Sequence, residues 1–257
     1  MLCCILLLCA LPAMAQEEQA LPVITITYAA GAPLSPEEAV DAQVTIARDG
    51  QEHAFPARLR LNAAAMDSEE RELPQRSLYI KGADMRFVLY NDGGDALRTK
   101  LLSTACSGLV AQCPVAVPVR TQEPVEVYVN GDYRGLYSRR EDIADAIARF
   151  EGLDSAATLN VADVNKKAFC GDPAGIASAL KQLKALNLSL EADRQTLSTL
   201  LDTESFLNWA AVNAFFGNLN MKSDVIFYQV GNGPIKCAMG DFAYALAFAA
   251  HNPYASL

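Results

Sequence analysis

Residues 125–137, VEVYVNGDYRGLY, carry the clearest secondary-structure signal in the chain. Val125, Val127 and Val129 alternate with polar or aromatic residues, so their side chains point to one face of a strand. An Asn-Gly dipeptide follows directly, and it readily takes the positive φ angles of a two-residue turn. The stretch therefore predicts a β-hairpin.

Several segments before the hairpin also have strand patterns. β-branched residues cluster in PVITITY (22–28) and AQVTIA (42–47), which are separated by a connection rich in Gly, Pro and Ser. ARLRLN (57–62) alternates again, and RSLYIK (76–81) is its expected partner. We therefore expect residues 22–140 to be rich in strands.

The pattern becomes helical beyond Glu141. EDIADAIARF places Ile143, Ile147 and Phe150 on one face of a helix. Further along the chain, ESFLNWAAVNAFF (204–216) is apolar on nearly all sides, so we expect a buried helix there.

The ends of these helices have recognisable residues. Asp202 or Thr203 is the expected N-cap of the apolar helix, and Gly217 is its expected C-terminal stop. Earlier in the chain, Asp95 is the expected cap of a helix with Leu97 and Leu101 on one face. Together the elements predict an α+β protein with two lobes, a strand-rich N-terminal half and a helical C-terminal half from 141 to 257.

Composition limits the possible functions. The chain has 257 residues, 51% of them apolar, and a net charge of −9. This apolar content is enough for a substantial core, so the chain is not disordered. The acidic balance excludes nucleic acid as a partner.

The first fifteen residues predict export. MLCCILLLCALPAMA is an apolar run that ends in Ala13-Met14-Ala15, which is typical of a signal peptide (1–15) cleaved before Gln16. The run is too short for a membrane span, so we expect no transmembrane segment after cleavage. The protein is therefore predicted to be secreted or at the cell surface.

Four cysteines follow the leader, namely Cys106, Cys113, Cys170 and Cys237. An even number in an exported chain predicts two disulfides in any of three pairings, and buried free thiols are the alternative. The chain has two histidines, so a histidine-based metal site is not expected.

The order of the motifs resembles the spore-coat CotH kinase family of atypical, secreted or surface-associated kinase-like proteins. Four blocks carry the resemblance: LPVITITYAAGAPLSPEEAVDAQVTIA, FVLYNDGGDALRTKLLSTACSGL, VEVYVNGDYRGLYSRRE, and FFGNLNMKSDVIFY followed by GDFAYAL. The resemblance implies a two-lobed kinase-like domain over residues 22–257. It also implies ATP-dependent phosphorylation of coat or surface proteins with Mg²⁺.

The nucleotide-binding motifs of the family are altered. Its Arg-Gly-x-Ser-Ser loop corresponds here to RLNAA, which begins at Arg60, and its Lys-Lys-Ser/Pro stretch corresponds to PQRS, which contains Arg76. Leu and Ala in place of Gly and Ser remove features that favour a phosphate. Arg60, Arg76 and Glu141 are the candidate nucleotide-binding residues. Glu141 could pair with Arg76, but a surface ion pair with Arg139 or Arg140 is the more ordinary expectation.

The catalytic motif also departs from the family. Its Gly-Asn-x-Asp sequence, followed by Asn, corresponds here to Gly-Asn-Leu-Asn220 followed by Asp224. Asn220 and Asp224 are the candidate catalytic residues, and Asp224 and Asp241 the candidate metal ligands. A carboxamide cannot accept a proton, so the base position is expected to be lost while a divalent ion could still bind. Alternatively, Asn218 and Asn220 cap the helix end and Asp224 begins a strand.

The family resemblance and the altered motifs together lead to two possible functions. The first is the family activity with a degenerate site, that is, a pseudokinase. The second is a non-catalytic binding or structural module of the cell envelope. The sequence stops soon after Asp241 whereas the resembling domains continue with helical sequence, so a truncated C-terminal lobe is a further expectation.

Overall fold

The computed structural model describes residues 20–62, 75–96, 99–218, 221–242 and 244–246. In them it has eleven strands and six helices, which confirms the α+β class. The strands are β1 (Val23–Tyr28), β2 (Val40–Arg48), β3 (Gln51–Leu61), β4 (Leu78–Lys81), β5 (Arg86–Tyr90), β6 (Gln122–Val129), β7 (Asp132–Glu141), β8 (Leu159–Asp163), β9 (Ala168–Cys170), β10 (Ile226–Val230) and β11 (Lys236–Ala238). The helices are α1 (Leu102–Gln112), α2 (Ile143–Glu151), α3 (Ala174–Leu183), α4 (Glu191–Leu200), α5 (Thr203–Phe216) and α6 (Met221–Asp224). The predicted signal peptide lies outside the described residues.

The first seven strands form a closed barrel in the order β1-β2-β3-β4-β5-β7-β6. The predicted hairpin is confirmed as β6–β7, with φ angles of 51° at Asn130 and 89° at Gly131. The Asn130 side chain also accepts a hydrogen bond from the Tyr28 N–H at 2.9 Å. Parallel pairing of β1 with β6 then closes the barrel.

Alternating apolar residues fill the barrel. Ile24, Val44, Leu59, Ile80 and Val127 are all fully buried there. They come from five different strands, so the alternating side chains of each strand contribute to one shared core inside the barrel.

The second half of the chain contains a four-stranded sheet, whereas the sequence predicts a single strand there, after Asp224. Its strand order is β11-β10-β8-β9, and all its pairs are antiparallel. Helix α2 packs on it through Ile143 and Ile147, as predicted, whereas Phe150 is 41% exposed. The strand after Asp224 is confirmed as β10. β8, β9 and β11 were missed because they have only three to five residues each and lie between segments of helical periodicity.

Helix α5 has the predicted ends but not the predicted burial. Asp202 accepts a hydrogen bond from the Ser205 N–H at 2.9 Å, and Gly217 ends the helix with φ 56°. Trp209 and Phe216 are buried, but Leu207 and Phe215 are 64% and 80% exposed. One face packs on the core and the other carries apolar residues to the surface.

Helix α1 begins later than expected. Asp95 lies in a short 3-10 turn, and its carboxylate accepts hydrogen bonds from Thr99 and from the N–H groups of Leu101 and Leu102. The helix therefore starts at Leu102, and Asp95 caps it although it lies seven residues earlier in the sequence. These hydrogen bonds lower the pKa of Asp95, although burial acts in the opposite direction.

Cys106, Cys113, Cys170 and Cys237 are free thiols in the structure, so the two-disulfide alternative is wrong. Cys106 and Cys237 are buried in one core cluster, and burial raises the pKa of these thiols to about 11 and about 12. Among the described residues, no helix has the length and apolarity needed to span a membrane.

Candidate functional site

A buried arginine forms the centre of the candidate site. The side chain of Arg140, on β7, is 2% exposed, and its guanidinium carbon lies 3.4 Å from the centroid of the Tyr90 ring. Its Nε donates to Gln122 Oε1 at 3.0 Å, and its Nη2 donates to Ser103 Oγ at 2.7 Å. The pairing of β7 with both β5 and β6 places the arginine between these partners.

Asp241 contacts this arginine from the second half of the chain. Its Oδ2 lies 3.8 Å from Arg140 Nη1 and accepts a hydrogen bond from the Tyr90 hydroxyl at 3.3 Å. The adjacent Phe242 and Met239 are buried in the core below α5, which anchors the segment that follows β11.

Gly240 brings Asp224 and Asp241 together. A Cβ at position 240 would lie 2.0 Å from the backbone oxygen of Asp224, so only glycine permits this approach. Asn218, which is fully buried, strengthens the junction by donating a hydrogen bond to the backbone oxygen of Asp241 at 3.2 Å. Two residues that are distant in sequence therefore lie side by side.

Asp224 is held in a buried, acidic environment. Burial, followed by the negative charge of Asp241, raises its pKa well above the usual carboxyl range. Arg140 and Arg120, and a hydrogen bond from Asn218, act in the opposite direction. Because burial is the largest of these effects, the charged form of Asp224 is disfavoured in the folded protein.

Sequence reasoning missed Asp92, which lies in the same cluster. It is fully buried, has φ 68°, and accepts a hydrogen bond from Ser138 Oγ at 2.8 Å. Its other oxygen, Oδ1, has no hydrogen-bond partner within the described part of the chain. Burial raises the pKa of Asp92 to about 6, against the opposing effect of Arg140. The run NDGGD directly after a strand was the available signal, because it places a carboxylate in a glycine-rich turn.

Two further cations were missed. Arg120 is largely buried, and burial together with the nearby Arg140 lowers its pKa to about 10. Lys100 hydrogen-bonds to Gln75 Oε1, and burial lowers the pKa of its ammonium, whereas Asp92 acts to raise it. Gln75 belongs to the PQRS stretch, so an ammonium lies next to the segment from which the expected lysines are missing.

A sequence model of the family described as CotH kinase protein matches residues 66–255, well over half of the chain. The chain belongs to the CotH kinase protein family. Its membership confirms the resemblance found in the sequence and supports a kinase-like function. Among curated proteins, no match is found.

The predicted nucleotide-binding residues of this CotH kinase family member have other contacts. Arg60 donates to the Pro36 carbonyl at 3.1 Å and lies 4.6 Å from the centroid of the Tyr79 ring. The backbone oxygen of Arg76 accepts a hydrogen bond from the Tyr137 hydroxyl at 3.1 Å.

The expected pairings of Glu141 are wrong. Its carboxylate accepts hydrogen bonds from Thr121 and from Arg149, at 3.0 Å and 2.9 Å. Arg139 instead pairs with Glu123 at 3.2 Å, and Arg140 faces Asp241. Glu141 therefore ties β7 to α2 and to the segment before β6.

The fit of Mg²⁺ to these residues is poor. Within the described ranges, no group of three or more His, Cys, Asp or Glu side chains is placed to hold a metal ion. Burial raises the pKa of Asp224 and so disfavours the anionic form that Mg²⁺ prefers, and the guanidinium of Arg140 repels a cation at Asp241. Asn220, the predicted catalytic position, lies outside the described residues.

Proposed function

We propose that this CotH-family protein is exported and has a degenerate phosphoryl-transfer site, so that it acts as a binding module for a coat or cell-surface protein. The contact of Arg140 with Asp241 carries the proposal. A positive charge of the protein itself occupies the surroundings of the carboxylate that corresponds to the family's metal ligand. The two-lobed kinase-like arrangement, with a boundary near residue 140, is part of the same proposal.

Electrostatics supports loss of turnover. Phosphoryl transfer requires cations on the phosphates, anionic ligands for magnesium and a group that orients the attacking hydroxyl. Here Asp224 has a raised pKa, Arg140 and Arg120 lower the net negative charge of the cleft, and Asn220 cannot accept a proton. The requirements for anionic metal ligands and for an orienting group are therefore both weakened.

A labelling assay tests the loss of turnover. The wild-type chain is incubated with Mg²⁺ and γ-labelled ATP, alongside Asp241→Ala, Asn220→Asp and the double variant Asn220→Asp/Asp224→Asn. We expect wild-type labelling to be no higher than that of Asp241→Ala, and the double variant to regain the most because it restores the family's order of carboxylate and carboxamide. Wild-type labelling that disappears in Asp241→Ala would overturn the proposal.

The second candidate is ATP-dependent phosphorylation of a coat or surface protein. Lys100 favours it, because its ammonium lies against Gln75 in the stretch where the family has lysines. If Lys100 binds phosphate, millimolar ATP with Mg²⁺ should raise the melting temperature of the wild type but not of Lys100→Met. No shift in either protein supports the binding module.

A further inference from the structure

A polar groove lies on the second sheet, where β8 and β10 meet α3 and α4. Its volume is about 390 Å³, which is within the range of small-molecule sites. Its polar side chains include Asn160, Asp172, Ser178, Gln182, Gln229 and Asn232. Of the described residues that line it, Asp172 alone is charged, and none is a cation.

Gln229 is a fixed hydrogen-bonding group in the wall of the groove. It is 9% exposed, and its Nε2 donates to the Gly233 carbonyl at 2.8 Å. A Cβ at Gly175 would lie 2.5 Å from Gln229 Oε1, so glycine lets α3 pack closely against the amide. No hydrogen bond to Oε1 is found within the described residues, which leaves a nine-tenths-buried acceptor at the groove.

Asn160, the cross-strand partner of Gln229, and Asp172 supply donors and a second acceptor. Asn160 Oδ1 accepts a hydrogen bond from the Asp172 N–H at 2.8 Å, and Asp172 Oδ1 accepts one from the Ala174 N–H at 2.9 Å. These bonds orient both side chains. The amide N–H groups of Asn160 are then available as donors, and the second carboxylate oxygen of Asp172 as an acceptor.

We propose that this groove binds a neutral polyhydroxylated ligand, namely one sugar unit of a glycan. A hydroxyl group both donates and accepts, so neighbouring hydroxyls match alternating carboxamide and carboxylate groups. The absence of a lining cation disfavours phosphate and carboxylate ligands, which bind to charged donors. The groove shares no lining residue with the cluster around Arg140, so the inference is independent of the proposed loss of turnover.

Ligand-observed NMR tests the ligand class on the full chain. The probes are glucose, galactose and N-acetylglucosamine, with inorganic phosphate as the anion and Gly-Asn-Gly as a neutral peptide. We expect saturation transfer to at least one sugar with a dissociation constant of about 1 mM, a typical weak affinity. Saturation transfer to no sugar, or stronger binding of phosphate or of the tripeptide, would overturn the assignment.

A matched pair of variants tests the location. Ser178 and Lys181 are both exposed on α3, but only Ser178 lines the groove. Ser178→Phe should weaken sugar binding at least tenfold, whereas Lys181→Phe should leave it unchanged. Equal affinities in the two variants would place the sugar elsewhere and refute the site.

A second variant probes the buried acceptor. Gln229→Leu removes Oε1 and should abolish saturation transfer to the sugar, with circular dichroism as the check on folding. If Gln229→Leu does not fold, the Ser178→Phe comparison still decides the question. A folded Gln229→Leu protein with wild-type affinity would remove Gln229 from the site.

Discussion

Asp92→Asn should stabilise the protein at neutral pH, because the native carboxylate is ionised at a cost. Asp92 is fully buried, and one of its oxygens has no partner in the described residues. Asparagine has nearly the same shape, tolerates the left-handed backbone at φ 68°, and can still accept the hydrogen bond from Ser138. The substitution therefore removes charge with little other change.

The size of the effect follows from the pKa. Burial raises the pKa of Asp92 from its ordinary 3.8 to about 6 in the folded protein. Between these values the folded state binds more protons than the unfolded state, so stability falls as the pH rises through this window. The cost of ionisation is about 3 kcal/mol at pH 7.5, about half of that at pH 5 and less than about 1 kcal/mol at pH 4.

Urea denaturation of wild type and variant at these three pH values measures the difference. We expect the gain of Asp92→Asn to shrink from about 3 kcal/mol toward zero on acidification. Asp132→Asn is the control, because the Asp132 side chain is 75% exposed and its substitution should give no pH-dependent gain. A gain independent of pH, or a loss at pH 7.5, would refute the reasoning.

Three further substitutions test the packing around the site. Gly240→Ala should destabilise the protein by about 3 kcal/mol, because the new Cβ would lie 2.0 Å from a backbone oxygen. Gly108→Ala is the control and should be neutral or stabilising, because Gly108 lies in a helix with open space around it. Similar losses of stability in both variants would contradict the close approach at Gly240. Arg140→Gln should cost about 3–5 kcal/mol by leaving a carboxylate without its counter-charge, and a loss below about 1 kcal/mol in urea denaturation would show that the contact is weak. Phe216→Ala should lower the free energy of unfolding by about 3–5 kcal/mol because Phe216 is buried, whereas Phe215→Ala should lower it by less than about 1 kcal/mol because Phe215 is exposed. Equal melting temperatures of the two variants would contradict this.

Local signals predicted the elements whose geometry is set locally. The Asn130-Gly131 turn needs positive φ angles at both residues, which few other dipeptides allow, so the hairpin was evident from the sequence. The ends of α5 were equally evident from Asp202 and Gly217. The exposure of Phe215 was not evident, because an all-apolar helix does not reveal which side faces the core.

The site depended on contacts that no local pattern encodes. Asp224 and Asp241 were found because they match motifs of the resembling family. Arg140 and Asp92 entered the same cluster through the pairing of barrel strands, which depends on the register of the whole sheet. The ion pair between Glu141 and Arg149 likewise replaced the expected partners because α2 packs at the end of β7.

The most direct test of the central claim is calorimetric titration of the intact protein with Mg²⁺ and ATP at pH 7.5. If the guanidinium groups near Asp241 neutralise its charge and so exclude Mg²⁺, no heat of binding should be detected up to millimolar nucleotide. Saturable binding that requires both Mg²⁺ and the Asp241 carboxylate, and so is lost in Asp241→Ala, would contradict the account.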